Sequence, residues 1–188
     1  MEQLRRRALR LEYITIAWNV AEGIICVIVG LLTGSVSLFA YGLESSVEIF
    51  ASSLVVWDLR GANKKRESLA LKLIGTAYIV VSAYVFFDAA QSLIGKHHAE
   101  RTFQGIIILL ITALGMGTLG FLKRDVGRKL SSPTVIADAK FTLIDGSLAA
   151  TVLLGLLLNT LFGFWWADQA MALFISGVAF REGIKEFF

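Results

Sequence analysis

Residues 34–58 read GSVSLFAYGLESSVEIFASSLVVWD, and they decide how the rest of the chain is understood. The stretch is apolar and long enough to cross a bilayer, yet Glu44 and Glu48 sit near its middle. Residues four apart lie one above the other on a single helix face. An ionised carboxylate in hydrocarbon is costly, so such residues face a polar interior and mark an ion path. Ser45 and Ser52 share or flank that face, while Leu38, Phe39, Val47, Ile49, Phe50 and Leu54 cover the remainder. Two stacked acids with small neighbours describe half of a cation site. The other reading has both acids protonated and hydrogen-bonded as glue between helices, but one acid would suffice for that and two like charges repel.

Charged residues make up only 18% of the 188, against roughly a quarter in soluble domains. With 56% hydrophobic residues, this is the composition of an integral membrane protein, with no room for an additional soluble domain. The one cysteine, Cys26, excludes an intramolecular disulfide and a Cys-rich metal site. Spans of about 20 apolar residues fit near 11–32, 35–58, 68–94, 103–122, 133–160 and 165–187. The fold class expected is therefore all-α, with six transmembrane helices in one domain over residues 1–188.

The basic residues orient these spans. Arg5, Arg6, Arg7 and Arg10 precede the first; Arg60, Lys64, Lys65, Arg66 and Lys72 lie between the second and third. Lys123, Arg124, Arg128, Lys129 and Lys140 follow the fourth, and Arg181 and Lys185 close the chain, leaving only Lys96 and Arg101 on the other side. The positive-inside rule then puts both termini in the cytoplasm. The net charge of +3 needs no nucleic acid to explain it. The basic start MEQLRRRALR precedes an apolar run too long for a signal peptide and without a clear cleavage site, so it reads as a retained helix.

Further polar residues punctuate the spans. Asn19, Glu22 and Cys26 fall on one face of the first. Glu22 reads as a ligand, as a proton carrier, or as a hydrogen-bonding partner of Asn19; Cys26 reads as a small packing residue. DLRGANKKRESLALK reads as a cationic cytoplasmic loop, and Asp88 stands near the outer end of the third span. His97 and His98 read as part of a solvated external loop. Gly115, Gly117 and Gly120 mark a packing face on the fourth span. In the fifth, which Pro133 opens, Asp138 and Asp145 are two turns apart with Thr142 beside them. Asp145 is at about the depth of Glu48; Asp138 is shallower, either a first station for an ion or a group reaching the interface. Trp165 and Trp166 anchor the sixth span at the outer interface, with Asp168 close by. A shift of 97 residues lays Ser35 on Ser132, Ala40 on Ala137, Glu48 on Asp145 and Val55 on Val152. That echo is what a 3+3 inverted repeat would leave, with a site at the repeat interface.

These residues resemble a known family. TGSVSLFAYGLESSVEIFASSLVV is similar to the second helix of the cation diffusion facilitators, proton-coupled zinc and manganese exporters. SSPTVIADAKFTLIDGSLAATVLLGL resembles their fifth helix, KKRESLAL the start of their third, and WADQAMALFISGVAFREGIKE their sixth. The family's transport site takes two ligands four apart on the second helix and two four apart on the fifth. By resemblance these fall on Glu44 and Glu48, then on Phe141 and Asp145. Phe141 departs from the pattern, since it cannot bind metal, and Tyr41 stands where the family often has Asp. Both second-helix ligands are Glu where Asp or His is usual. Zinc favours a closed tetrahedral shell containing His or Cys, whereas an all-oxygen shell suits Mn²⁺ or Mg²⁺. Glu22, Asn19, Thr142 or a water could complete the shell.

Family members typically continue into a cytoplasmic metal-sensing and dimerising domain. Here the chain ends just after the sixth helix, so the expectation is no regulation through such a domain and any homodimer formed through the helices themselves. The reading that results is a cell-membrane antiporter, embedded in the lipid bilayer, whose partners are a divalent metal ion (zinc first, manganese second) and protons. Its metal-site residues are Glu44, Glu48 and Asp145, with Glu22 and Asn19 beside them. The alternative is a non-transporting metal-sensing or partner-binding subunit of the same fold. An enzyme is disfavoured, because the spans hold no nucleophile–base constellation and no catalytic cofactor is called for.

Overall fold

The computed structural model describes residues 1–33, 36–61, 63–95, 103–164 and 166–187, with the side chains of residues 30, 33, 36–44, 103–105, 152, 156, 159, 160 and 168 outside the description. The described residues form six helices and no strand: α1 Glu2–Thr33, α2 Val36–Gly61, α3 Lys64–Gly95, α4 Phe103–Leu130, α5 Pro133–Phe162 and α6 Ala167–Lys185. The all-α, six-helix expectation holds. Among the described residues, Glu2–Val29, Lys64–Gly95 and Ile106–Leu130 are long and apolar enough to cross a membrane by length and composition alone.

The helices outrun the predicted spans at the basic end. The segment DLRGANKKRESLALK, expected to be a loop, is helical on both sides of a short turn at Asn63. Arg, Lys, Glu, Leu and Ala are good helix formers, so nothing stops the helices where the apolar residues run out. Asn63 makes the turn: its carbonyl accepts from the Glu67 N–H at 3.1 Å and its side-chain Oδ1 from the Lys65 N–H at 3.0 Å, which caps α3. The α4–α5 turn is equally short. Ser131 adopts a positive φ of 52°, the Ser132 N–H returns to the Gly127 carbonyl at 3.0 Å, and Pro133 opens α5 where no N–H is needed.

Helices α1, α2, α4 and α5 close a four-helix bundle through α1–α2, α4–α5, α1–α4 and α2–α5 contacts. The α3–α6 pair packs beside it, against α2 and α5. Glycines allow two close approaches to a neighbouring helix's backbone. A Cβ on Gly75 would stand 2.7 Å from the Gly183 carbonyl oxygen, and one on Gly146 would stand 2.9 Å from the Gly117 backbone nitrogen. Gly115 faces the Trp18 ring and Gly120 faces Leu143, as expected of a packing face, whereas a Cβ on Gly117 would meet nothing within 4 Å.

Polarity is distributed as in a lipid-embedded bundle. Leu31, Leu32, Phe87, Phe121, Leu161 and Phe174 are exposed, whereas Glu12, Thr15, Asn19, Ser52, Lys123, Asp138 and Thr142 are fully buried. Lipid tails cover apolar side chains without loss, so the polar groups turn inward to find one another. At the basic end Arg5 Nε donates to the Leu59 carbonyl at 2.7 Å and Thr134 Oγ1 to Asp58 at 2.8 Å, tying α1 to α2 and α2 to α5. At the other end Phe162, Phe164 and Trp166 form an aromatic row around Gly163, whose φ of 74° favours glycine.

Candidate functional site

Each bundle helix contributes one polar stripe at helical spacing. On α2 the stripe is Ser45, Glu48 and Ser52, all buried; on α5 it is Asp138, Thr142 and Asp145. Helix α1 adds Glu12, Thr15, Asn19 and Glu22, and α4 adds Thr112 and Lys123. These stripes meet along the bundle axis and make two polar centres.

The first centre is a pocket lined by Glu48, Val81, Phe141, Ile144, Asp145 and Leu148. Glu48 and Asp145 are thus brought together from α2 and α5. Glu48 is buried, and among the described residues neither of its carboxylate oxygens has a hydrogen-bond partner. A buried carboxylate in that condition carries a desolvation cost that a bound cation or proton would relieve. The opposite wall is apolar. Phe141 stands edge-on to Tyr78, and Tyr78 Oη donates to the Ala137 carbonyl at 2.8 Å, which fixes that wall between α3 and α5.

Other sequence-derived candidates sort as follows. Glu44 lies on α2, one helical turn from Glu48, but its side chain is outside the described residues, as is that of Asp168. His97, His98 and Trp165 also lie outside them. Glu22 is buried and accepts a hydrogen bond from Thr112 Oγ1, and its charge reaches Glu48. Asn19 turns its amide back along α1, Nδ2 donating to the Thr15 carbonyl at 3.0 Å. Cys26 is buried within electrostatic reach of Glu22 and Asp145. Asp88 is exposed. Among the described residues no three His, Cys, Asp or Glu side chains gather into a metal-binding group.

The second centre surrounds Lys123 and corrects two expectations. The basic-residue count places Lys123 beyond the fourth span on the cytoplasmic side, yet its side chain has no exposed surface. Its Nζ lies 2.5 Å from Asp138 Oδ2, 3.1 Å from Thr142 Oγ1 and 3.4 Å from Ser52 Oγ. Glu12 Oε2 is 2.9 Å away and forms an ion pair with it. Asp138, one of whose expected roles was to reach the interface, is fully buried in this network. The physical reason is that α4 continues past residue 122, carrying Lys123 back between α1 and α5. Glu12 and Lys123 are the residues that sequence reasoning missed. A signal for them exists: Met116, Leu119, Lys123 and Val126 repeat at spacings of three and four and are all buried. Glu12 continues the Thr15, Asn19, Glu22 face of α1 in the same way.

Comparison with known proteins adds to this geometry. Residues 13–188 match the family model of the cation efflux transmembrane domain. An uncharacterized transporter of Methanocaldococcus jannaschii, MJ0449, is 29% identical over 89% of this chain and 64% of its own length. The magnetosome protein MamB of Paramagnetospirillum magneticum is 22% identical over 84% of this chain and 57% of its own. Transmembrane protein 163 of Xenopus laevis is 21% identical over 98% of this chain and 67% of its own. The chain spans about three fifths of the length of the first two relatives.

Proposed function

The chain belongs to the cation efflux family, and from that premise we propose that it carries a divalent cation out of the cytoplasm in exchange for protons. Glu44, Glu48 and Asp145 bind the ion midway across the bilayer, with zinc the first candidate and manganese the second. What carries the reading is the pocket in which Glu48 and Asp145 meet, Glu48 being buried with both oxygens unpaired among the described residues.

The same carboxylates hold either the ion or protons, so binding one releases the other and exchange follows without covalent chemistry. The ion arrives from the basic end of the bundle, which the positive-inside rule assigns to the cytoplasm. Glu22, which is not among the residues that line the pocket, is held by Thr112, and Asn19 lies about one turn from it along α1. The α3–α6 pair packs against α2 and α5 of the four-helix bundle, and rocking of the pair against the bundle would open the site to either side in turn.

Phe141 on the pocket wall supports a second reading, a non-transporting metal-sensing or partner-binding subunit, because the wall is apolar where a ligand is expected. One experiment separates the two. Purified protein is placed in liposomes containing a metal-sensitive dye, and Zn²⁺ and Mn²⁺ uptake is followed across an imposed pH gradient. Proton-dependent flux, abolished by Glu48→Gln and by Asp145→Asn, is the expected result. Absence of flux for any divalent ion in folded protein, with metal binding retained, would establish the subunit reading instead.

A further inference from the structure

The network around Lys123 lies outside the residues that line the transport pocket, and its geometry is unusual for a salt bridge. Four oxygens from three helices, Glu12 Oε2, Ser52 Oγ, Asp138 Oδ2 and Thr142 Oγ1, converge on one point, with all their side chains fully buried. The Lys123 ammonium occupies that point. Its hydrogen-bond acceptors are Asp138, Thr142 and Ser52, so Glu12 adds charge without a hydrogen bond. Among the described residues three buried oxygens of this centre, both of Glu12 and Asp138 Oδ1, have no hydrogen-bond partner. One ammonium thus answers two carboxylates and leaves oxygen valence unused.

The centre also lies on the route to the pocket. Ser52 is one helical turn from Glu48 on α2, towards the basic end, and Asp138 is two turns from Asp145 on α5. Thr142, three residues from Asp145, touches the ammonium directly. An ion moving from the basic end to Glu48 along the inner faces of α2 and α5 therefore passes Lys123.

We propose that Glu12, Ser52, Asp138 and Thr142 form a second cation station, occupied in this structure by the Lys123 ammonium, which the divalent substrate displaces on its way to Glu48 and Asp145. The donor set is all oxygen, carboxylate and hydroxyl, which suits a hard divalent ion such as Mn²⁺ or Mg²⁺ better than zinc. Lys123 then acts as a tethered competitor: a monovalent cation cannot outbid it, whereas a divalent ion answers both carboxylates at once. The inference deepens the transport reading and rests on it.

The test counts Mn²⁺ bound to the full chain in detergent by electron paramagnetic resonance, in a Glu48→Gln background so that the transport pocket contributes little. At Mn²⁺ too dilute to displace Lys123, Lys123→Met in that background is expected to hold one more Mn²⁺ per chain, and adding Asp138→Asn to lose it. Equal Mn²⁺ counts with and without Lys123 at every Mn²⁺ concentration, in protein of unchanged helicity, would overturn the proposal while leaving the flux experiment untouched. A measurement on unmutated protein guards against a variant that fails to fold. Saturating Mn²⁺ is expected to raise modification of Lys123 by a small amine-reactive reagent several-fold relative to Lys140, read by mass spectrometry. A ratio unaffected by Mn²⁺ would likewise overturn it.

Discussion

Phe141 and Tyr78 stand edge to face, ring centroids 4.4 Å apart and planes at 76°, at the wall of the pocket that Glu48 and Asp145 share. The pair makes one side of a cation pocket apolar. Replacing Phe141 with His trades an aromatic contact of roughly 0.5–1.5 kcal/mol for an imidazole four residues from Asp145. Zinc favours nitrogen ligands and Mn²⁺ oxygen, so Phe141→His should shift the Zn²⁺ to Mn²⁺ flux ratio towards zinc by about tenfold or more, a change of ~1.4 kcal/mol. Tyr78→Phe, which removes only the hydrogen bond to Ala137, should leave that ratio unchanged. Competition flux in liposomes checks both.

Two of the ion-paired lysines, Lys123 and Lys140, should differ greatly in what they contribute. Lys123 is buried against Asp138 and Glu12, whereas Lys140 is partly exposed beside Glu182 and Glu186. Removing one partner of a buried pair leaves an uncompensated charge, at about 3–5 kcal/mol; a partly exposed pair is worth about 0–1 kcal/mol. Lys123→Met should therefore unfold at much lower denaturant than wild type in metal-free detergent, and Lys140→Met at nearly the same. Divalent ion should restore part of the Lys123→Met loss if the emptied station fills. Equal losses for the two lysines would show that burial does not set the energetics of these pairs.

That contrast also marks the limit of what could be read from residue order. Spans 35–58 and 133–160 were legible because lipid demands continuous apolar runs, and Glu48 and Asp145 were legible because charge inside such a run has few explanations. Lys123 was not. In LKRDVGRK it sits among residues that do stay in solvent, and a lysine at the edge of a span looks the same whether it points out or in. What decides it is the continuation of α4 to Leu130, together with carboxylates 111 residues before it, at Glu12, and 15 after it, at Asp138. The helical continuation of 58–72 was missed for a related reason: charge ended the hydropathy signal but not the helix.

Close approach of α3 and α6 at Gly75 and Gly183 gives a packing prediction. A methyl group on Gly183 would meet Tyr78 Cβ at 2.7 Å and the Gly75 carbonyl oxygen at 2.9 Å, neither of which is the flexible end of a side chain. Gly183→Ala should therefore destabilise by about 1–3 kcal/mol, the usual cost of overpacking. Gly177 lies on the same helix with nothing within 4 Å of its would-be Cβ. Gly177→Ala should fall within about 0.5 kcal/mol of wild type. Thermal unfolding in detergent, followed by circular dichroism, distinguishes them.

Glu22 offers the last test, because its hydrogen bond to Thr112 constrains the role it can play in the transport reading. One carboxylate oxygen is engaged by the Thr112 hydroxyl of α4, so the group is held back from Glu48 even though its charge is felt there. A residue that tunes the ion from behind its ligands typically costs 10–100-fold in affinity or activity when replaced, whereas loss of a direct ligand abolishes binding. Glu22→Gln should reduce Mn²⁺ or Zn²⁺ flux by about that factor without abolishing it, and should remain sensitive to Glu48→Gln. Thr112→Val, which removes the hydroxyl and keeps the shape, should move flux in the same direction by a smaller factor. If Glu22→Gln instead silences transport as completely as Glu48→Gln while Thr112→Val does nothing, Glu22 touches the ion directly and swings away from Thr112 to do so.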